Sequence, residues 1–248
     1  MKENFLERRY HLRTSDFDMR NRIFPSSVFD LFQDTAGEHA ARLGIGYRDL
    51  SPKNLCWMIS RVAYRIIKQP ELFSDVIVKT WPIESKRIEF DRDYAVYSDS
   101  GELLIVGSSQ WIMIDITDRE SPRIIPARDF PISVEEYQTE RAIEKPFVRI
   151  APTFETDSET YFTKSEYADI DTNNHVNNIR YSTFVLNALD LPPEKEIASF
   201  RLDFIKEIAV GAPIKITHKS QDGVILCRGE SEKNGAPVTS FIARIEIK

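Results

Sequence analysis

Long apolar runs are missing from this chain. Nothing approaches the roughly 18–20 consecutive apolar residues that a membrane helix requires, so no membrane partner is expected. Cysteine is scarce: only Cys56 and Cys227 occur, both inside strand-like segments. That is too few for a disulfide framework and fits a reducing cytoplasm. His11, His39, His175 and His218 share no ligand spacing, and neither cysteine belongs to a Cys-x-x-Cys pair, so no metal site is expected. The nine glycines form no phosphate-cradling loop, no dinucleotide fingerprint and no Gly-x-Ser-x-Gly elbow. No cofactor is therefore expected, and a serine-nucleophile hydrolase of the elbow type is not indicated. The net charge is -6, with acidic and basic residues interspersed, which argues against nucleic acid as a partner. Met1 to Tyr10 is charged and carries no apolar signal region, so the expected location is cytoplasmic.

What is present is a repeat. The 248 residues, 42% of them hydrophobic, suffice for one large core or two small ones. One order of elements reads twice: a strand, a polar turn, a helix, then a meander of strands. Leu6–Arg13 reads as a strand. A helix follows from about Pro25–Ser27 to Leu43, with Val28, Phe32, Thr35/Ala36, His39/Ala40 and Leu43 at helical spacing. Ser26 or Ser27 is placed to cap it. Strands are expected near 57–67, 75–84, 87–98 and 103–116, with Ser100-Gly101 as a turn. In the second half, a strand at Tyr161–Tyr167 leads through a polar turn to a helix at about 176–189. Strands follow near 198–206, 213–219, 223–230 and 237–247, with Asp222-Gly223 and Asn234-Gly235 as turns. The proline-bearing stretch 120–158 is the best linker, so each repeat spans about 110–120 residues.

The repeat also shows in the letters. Asp16-Phe17-Asp18-Met19-Arg20-Asn21-Arg22-Ile23 lies over Asp169-Ile170-Asp171-Thr172-Asn173-Asn174-His175-Val176 without a gap. Ile67-Lys68-Gln69-Pro70 lies over Ile205-Lys206-Glu207-Ile208. The chemistry differs: where the second half has Asn173, His175 and Glu207, the first has Arg20, Arg22 and Gln69. One copy holds groups that move protons and the other does not, which suggests a catalytic half and a scaffold half.

The polar turn delivers a carboxylate and an imidazole to the start of a helix. The first backbone N–H groups of a helix lack internal partners and carry the positive end of its dipole. A carbonyl oxygen placed there finds donors for the charge that develops during nucleophilic attack. Asn173 adds a candidate side-chain donor. Asp171, four residues before His175, points the same way if the turn is helical, and a carboxylate beside an imidazole fixes its tautomer. Glu207, arriving from a separate strand, is a candidate general base. Each residue has an ordinary alternative: Asp as a cap, Asn as a turn former, His as a structural group, Glu as a solvated strand end. Lys86-Arg87 and Lys206 offer positive charge to an acidic partner, or else are solvated strand edges.

At this point a family likeness enters. Asp171-Thr172-Asn173-Asn174-His175-Val176-Asn177-Asn178-Ile179-Arg180-Tyr181 resembles the catalytic motif of the acyl-acyl-carrier-protein thioesterases, which release fatty acids in plant plastids and have bacterial relatives. Leu202-Asp203-Phe204-Ile205-Lys206-Glu207-Ile208 resembles the second motif of that family. Leu31 to Ala40 and Trp111-Ile112-Met113-Ile114 resemble its first-half helix and strand. The resemblance covers nearly the whole chain, in order. It implies an α+β fold, a tandem (double) hotdog of two units, each a long helix wrapped by an antiparallel sheet. The units are expected at 1–125 (scaffold and acyl-tail pocket) and 159–248 (catalytic), with 126–158 as linker.

The resemblance further implies hydrolysis of fatty acyl thioesters on an acyl carrier protein, whose phosphopantetheine-linked acyl chain is the substrate. The chain itself is expected as a monomer or homodimer. Asp171, Asn173, His175 and Glu207 match the catalytic positions of the family. One departure matters: the family's cysteine after the glutamate is Ile208 here. A thiol nucleophile at that position is excluded, leaving water as nucleophile with Glu207 or the His175/Asp171 pair as base. The acyl tail is expected in the apolar interior of the first unit. Phe29, Phe32, Trp57 and Met58 are candidate walls, although each reads more readily as plain core. Rival readings keep coenzyme A as the carrier, hydrate or dehydrate acyl chains on the same fold, or make the chain a silent acyl-binding module.

Overall fold

The computed structural model describes residues 4–85, 87–118, 120–132, 134, 137–150, 158–171, 174–189, 191–233 and 235–248. It divides into two compact units, Met1–Pro146 and Phe147–Lys248. Among the described residues no helix is long and apolar enough to cross a membrane.

The first unit runs β1 (Leu6–His11), α1 (Pro25–Arg42), α2 (Tyr47–Leu50), β2 (Leu55–Ile66), β3 (Asp75–Pro82), β4 (Phe90–Ser98), β5 (Leu103–Asp115) and β6 (Arg123–Ile125). Its sheet has the order β1-β3-β4-β5-β2, and β6 pairs with the far end of β5. The ladders are antiparallel throughout. Alternation explains why one face is covered: Val76, Val78 and Thr80 of β3 are fully buried on the side that meets α1. From α1, Val28, Phe29, Leu31, Phe32, Thr35, Ala36 and His39 are buried, the stripe expected of a helix lying on a sheet. Phe32 stacks on Tyr94 at 4.2 Å, and Phe29 meets Tyr64 edge-on at 5.4 Å. The ring of Phe32 lies directly over Gly107, where a Cβ would come within 2.1 Å of it.

The start of α1 differs from expectation. Neither Ser26 nor Ser27 caps it; the N-cap is Phe24, with extended backbone, and Pro25 follows inside the first turn. The residue before a proline is held out of the helical region, which is the conformation an N-cap needs, and proline gives up an N–H that the first turn leaves unpaired anyway.

The expected linker 126–158 is, in its first part, a structural piece of the first unit. Ala127 joins Leu50, Phe90 and Met113 in a second small core, against which Trp57, Trp111, Phe130 and Ile132 pack. Arg141 then reaches Asp93 at 2.9 and 3.1 Å and Asp91 at 3.1 Å, while the amide of Ala142 donates to Asp93 at 2.8 Å. Asp93 is fully buried, so this arginine is its charge partner rather than a surface ornament. Residues 151–157 lie outside the described residues.

The second unit repeats the plan: β7 (Glu159–Lys164), α3 (Asn178–Ala188), β8 (Ile197–Phe204), β9 (Pro213–Gln221), β10 (Val224–Lys233) and β11 (Ala236–Ile247). Its strand order, β7-β9-β10-β11-β8, matches that of the first unit element for element. Asp222 and Gly223 both have positive φ, 51 and 76, between the paired Gln221 and Val224, as a two-residue hairpin turn requires. From α3, Tyr181, Phe184, Val185 and Ala188 are buried at helical spacing, and Tyr181 meets Phe204 and Phe241 edge-on at 5.2 and 5.4 Å.

Candidate active site

Backbone bonds between its described residues close the polar turn. Ile170 and Val176 form an antiparallel bridge that closes it. Inside, the amide of Asp171 donates to His175 O at 2.8 Å and that of Asn174 to Asp171 O at 3.0 Å, with Asn174 at φ 65. The carboxylate of Asp171 accepts the backbone N–H of His175 at 3.2 Å. Asp171 therefore shapes the turn that presents the imidazole, as short polar side chains do in such loops.

The ring also meets a carboxylate from another element. His175 Nε2 lies 3.4 Å from Glu207 Oε2, and both side chains are open to solvent, 57% and 67% exposed. Glu207 follows the end of β8, where the amides of Ile205 and Lys206 both donate to Ser240 O at 2.9 and 3.0 Å. The next residue, Ile208, is fully buried, and its amide donates to the hydroxyl of Tyr181 at 3.2 Å. Burial pushes the Tyr181 hydroxyl up to about 12; the Ile208 bond works against that rise, and the negative charges of Glu207 and Asp171 add to it. Tyr181 stands in the motif, yet nothing in its spacing announced this contact.

Asn177 caps α3, its side-chain oxygen accepting from Ile179 N at 3.0 Å, and Arg180 N donates to Asn177 O at 2.9 Å. The helix start thus has fewer open donors than expected. Among the described residues the amide of Asn178 is the first-turn donor without a partner. Asn173, the proposed side-chain donor, lies outside the described residues, as does Lys86.

The first unit has the same turn with different chemistry. Asp18 N donates to Arg22 O at 2.9 Å, Asn21 N to Asp18 O at 3.0 Å, and the Asp18 carboxylate accepts Arg22 N at 3.0 Å. Phe17 and Ile23 form the matching bridge, and Asn21 has φ 58. Ile67 and Lys68 both donate to Leu104 O, as Ile205 and Lys206 do to Ser240 O. Gln69, in the place of Glu207, accepts the backbone N–H of Ile23 at 3.3 Å. The letter-by-letter repeat is therefore a repeat of geometry.

The remaining histidines are engaged otherwise: His11 with Asp75 at 2.6 Å, buried His39 with Arg92 at 2.9 Å, and buried His218 at 3.8 Å from Glu159. Burial pushes the Cys227 thiol up to about 12 and raises that of half-buried Cys56, so neither is poised as a thiolate. The four candidate wall residues have different surroundings. Phe29 and Phe32 are locked between α1 and its sheet. Trp57 is half-buried in the second core, with its ring N–H donated to Ile45 O at 2.9 Å, and Met58 is 47% exposed. A cavity of ≈ 660 Å³ in the first unit, lined by Glu84, Arg87, Ile88, Arg128 and Tyr137 among others, includes none of the four.

Comparison with known proteins puts a family to these features. The model of the acyl-ACP thioesterase N-terminal domain matches residues 3–128, and that of the C-terminal domain matches residues 154–241. A chloroplastic palmitoyl-acyl carrier protein thioesterase of Gossypium hirsutum is 27% identical over 73% of this chain and 46% of its own length. The chloroplastic acyl-[acyl-carrier-protein] hydrolase FATB2 of Cuphea viscosissima is 25% identical over 83% of this chain and 52% of its own. The chain spans about half the length of these curated relatives. Among solved structures, an acyl-ACP thioesterase from Bacteroides thetaiotaomicron superposes with TM-score 0.85 at 23% identity, covering 99% of this chain and 98% of the other. The 12:0-ACP thioesterase from Umbellularia californica does so with TM-score 0.84 at 19% identity, covering 100% and 98%. These two likenesses show the double-hotdog fold that the repeated helix-on-sheet units imply. With both halves matched in order, the chain belongs to the acyl-ACP thioesterase family.

Proposed function

We propose that the chain hydrolyses fatty acyl thioesters carried on an acyl carrier protein, releasing free fatty acid and the carrier's thiol. The observation that carries this reading is the solvent-facing pair of His175 and Glu207, 3.4 Å apart, in the one unit whose duplicate holds Arg22 and Gln69. Water is the nucleophile, because Ile208 stands where the family has cysteine and neither cysteine of the chain is a ready thiolate.

Glu207 takes a proton from water as its oxygen bonds to the thioester carbon. The oxyanion is met by the amide of Asn178 at the positive end of α3 and, on the strength of the motif, by the side chain of Asn173. His175, facing Glu207, passes the proton to the sulfur as the C–S bond breaks, so that a free carboxylic acid and a thiol leave. The acyl tail is assigned to the first unit. Trp57 and Met58 keep free surface for it, whereas Phe29 and Phe32 are already spent on the helix–sheet core.

The test is fatty-acid release from acyl-carrier-protein and acyl-coenzyme-A panels by wild type, Glu207→Gln and His175→Ala. Release from the carrier-protein panel, lowered about 10²–10⁴-fold in each variant, is the expected outcome. Faster turnover on coenzyme A would move the carrier assignment. Acyl binding with no release from either panel would leave a binding module. Trp57→Ala and Met58→Ala are expected to change chain-length preference; unchanged profiles would remove both from the acyl path.

A further inference from the structure

Glu207 is held from both sides while its side chain stays in solvent. On one side, the amide of Lys206 is fixed to Ser240 O at 3.0 Å. On the other, the amide of Ile208 is fixed to the hydroxyl of Tyr181 at 3.2 Å. The Tyr181 ring is 3% exposed and clamped edge-on by Phe204 and Phe241, so its oxygen is a fixed point and not a floppy acceptor. Tyr181 is also the fourth residue of α3, the helix that the His175 turn leads into. A single side chain therefore joins the helix that follows the imidazole's turn to the segment bearing the carboxylate.

The first unit serves as an internal control. The fourth residue of α1 is Val28, which has no hydroxyl, and the residue after Gln69 is Pro70, which has no N–H to give. Both halves of the bond are missing from the copy that also lacks the carboxylate and the imidazole, although the turn, bridge and strand-end bonds around them are kept. A bond needed only for folding would be expected in both copies. This one accompanies the chemistry.

We infer that Tyr181 is a positioning residue for hydrolysis, its hydroxyl fixing the backbone of Glu207 so that the carboxylate meets His175 and the attacking water. The inference rests on the hydrolase reading above and deepens it. A misplaced carboxylate lowers the rate of the chemical step and leaves substrate capture untouched.

The experiment measures kcat and KM on one acyl-carrier-protein substrate for the full chain as wild type, Tyr181→Phe, Glu207→Gln and the double variant, with melting temperatures alongside. Tyr181→Phe is expected to lower kcat about tenfold with KM held within about twofold. In the Glu207→Gln background the same change is expected to cost nothing further, since the group it positions is gone. Wild-type kcat in Tyr181→Phe, or an equal loss in both backgrounds, overturns the inference while a slow Glu207→Gln leaves the hydrolase reading standing. Full activity in Glu207→Gln removes Glu207 from the chemistry, and the inference with it, while no release by the wild type brings down the hydrolase reading itself. Should Tyr181→Phe not fold, 3,5-difluorotyrosine at position 181 keeps the ring in place and weakens its oxygen as an acceptor. A lowered kcat then supports the inference, and an unchanged one refutes it.

Discussion

The contact between Phe32 and Gly107 offers a quantitative test of how the first unit is built. A Cβ at position 107 would lie 2.1 and 2.4 Å from two atoms of the Phe32 ring and 3.0 Å from Ala63 O. Ordinary carbon contacts begin about 1.3 Å further out. The ring has nowhere to retreat, because it stacks on Tyr94 at 4.2 Å with the planes 7° apart. Tyr94 is itself buried, with its hydroxyl bonded to Ser109 at 2.8 Å. Gly107→Ala should therefore fall at the upper end of overpacking costs, about 3 kcal/mol. Phe32→Ala removes a ring that is 1% exposed and should cost about 4 kcal/mol. In the double variant the new methyl enters the space the ring has left, so the total should stay near about 4 kcal/mol instead of the additive sum, about 7. Urea unfolding of the four proteins measures the coupling. An additive double variant would show that the two sites do not compete for one volume. A separate variant addresses the acyl pocket: Phe32→Leu of full stability with an altered chain-length preference would return Phe32 to the acyl path.

Two further outcomes follow from the ion pairs of the first unit. Arg141→Ala strips the buried carboxylate of Asp93 of its cation and should destabilise the protein by about 3 kcal/mol, with Asp93→Asn restoring part of the loss; a melting temperature unchanged by Arg141→Ala would show that residues 126–146 do not belong to this unit. The bonds from His11 and then Arg9 hold the Asp75 carboxyl below its usual range, a depressed acid whose contribution is present above the ordinary carboxylate pKa and is lost as pH falls through its folded value. Acid should thus loosen the β1–β3 edge, and Asp75→Asn should abolish that part of the pH dependence when amide exchange in β1 is followed between pH 5 and about 2.

The duplication was legible because both copies keep the letters that make the backbone of the turn. Asp18 and Asp171 accept the same amide, Asn21 and Asn174 take the same positive φ, and periodicity located the helix and strands to within a few residues. Local rules failed where two of them competed. The serines of α1 were good caps in isolation, but Pro25 fixed the helix start one step earlier. The prolines after residue 120 suggested a tether, whereas Ala127, Phe130 and Arg141 are spent on the first unit. Phe29 and Phe32 read more readily as core than as pocket wall, but an apolar side chain carries no mark of what it will face.

The sequence by itself determined the family, the two-unit plan and the residue types that bring acid–base chemistry to one copy only. Those are properties of local pattern and of motif, and they survive without coordinates. Tertiary structure alone decided the partners. It brought the imidazole of His175 to Glu207 and the carboxylate of Asp171 to the amide of His175, and it placed the hydroxyl of Tyr181 on the amide behind the Glu207 carboxylate. The reason is geometric: a turn fixes bonds between near neighbours, but which carboxylate meets the ring depends on where a distant strand ends. That end is set by Ser240, Tyr181 and the burial of Ile208, three residues whose roles no spacing announces.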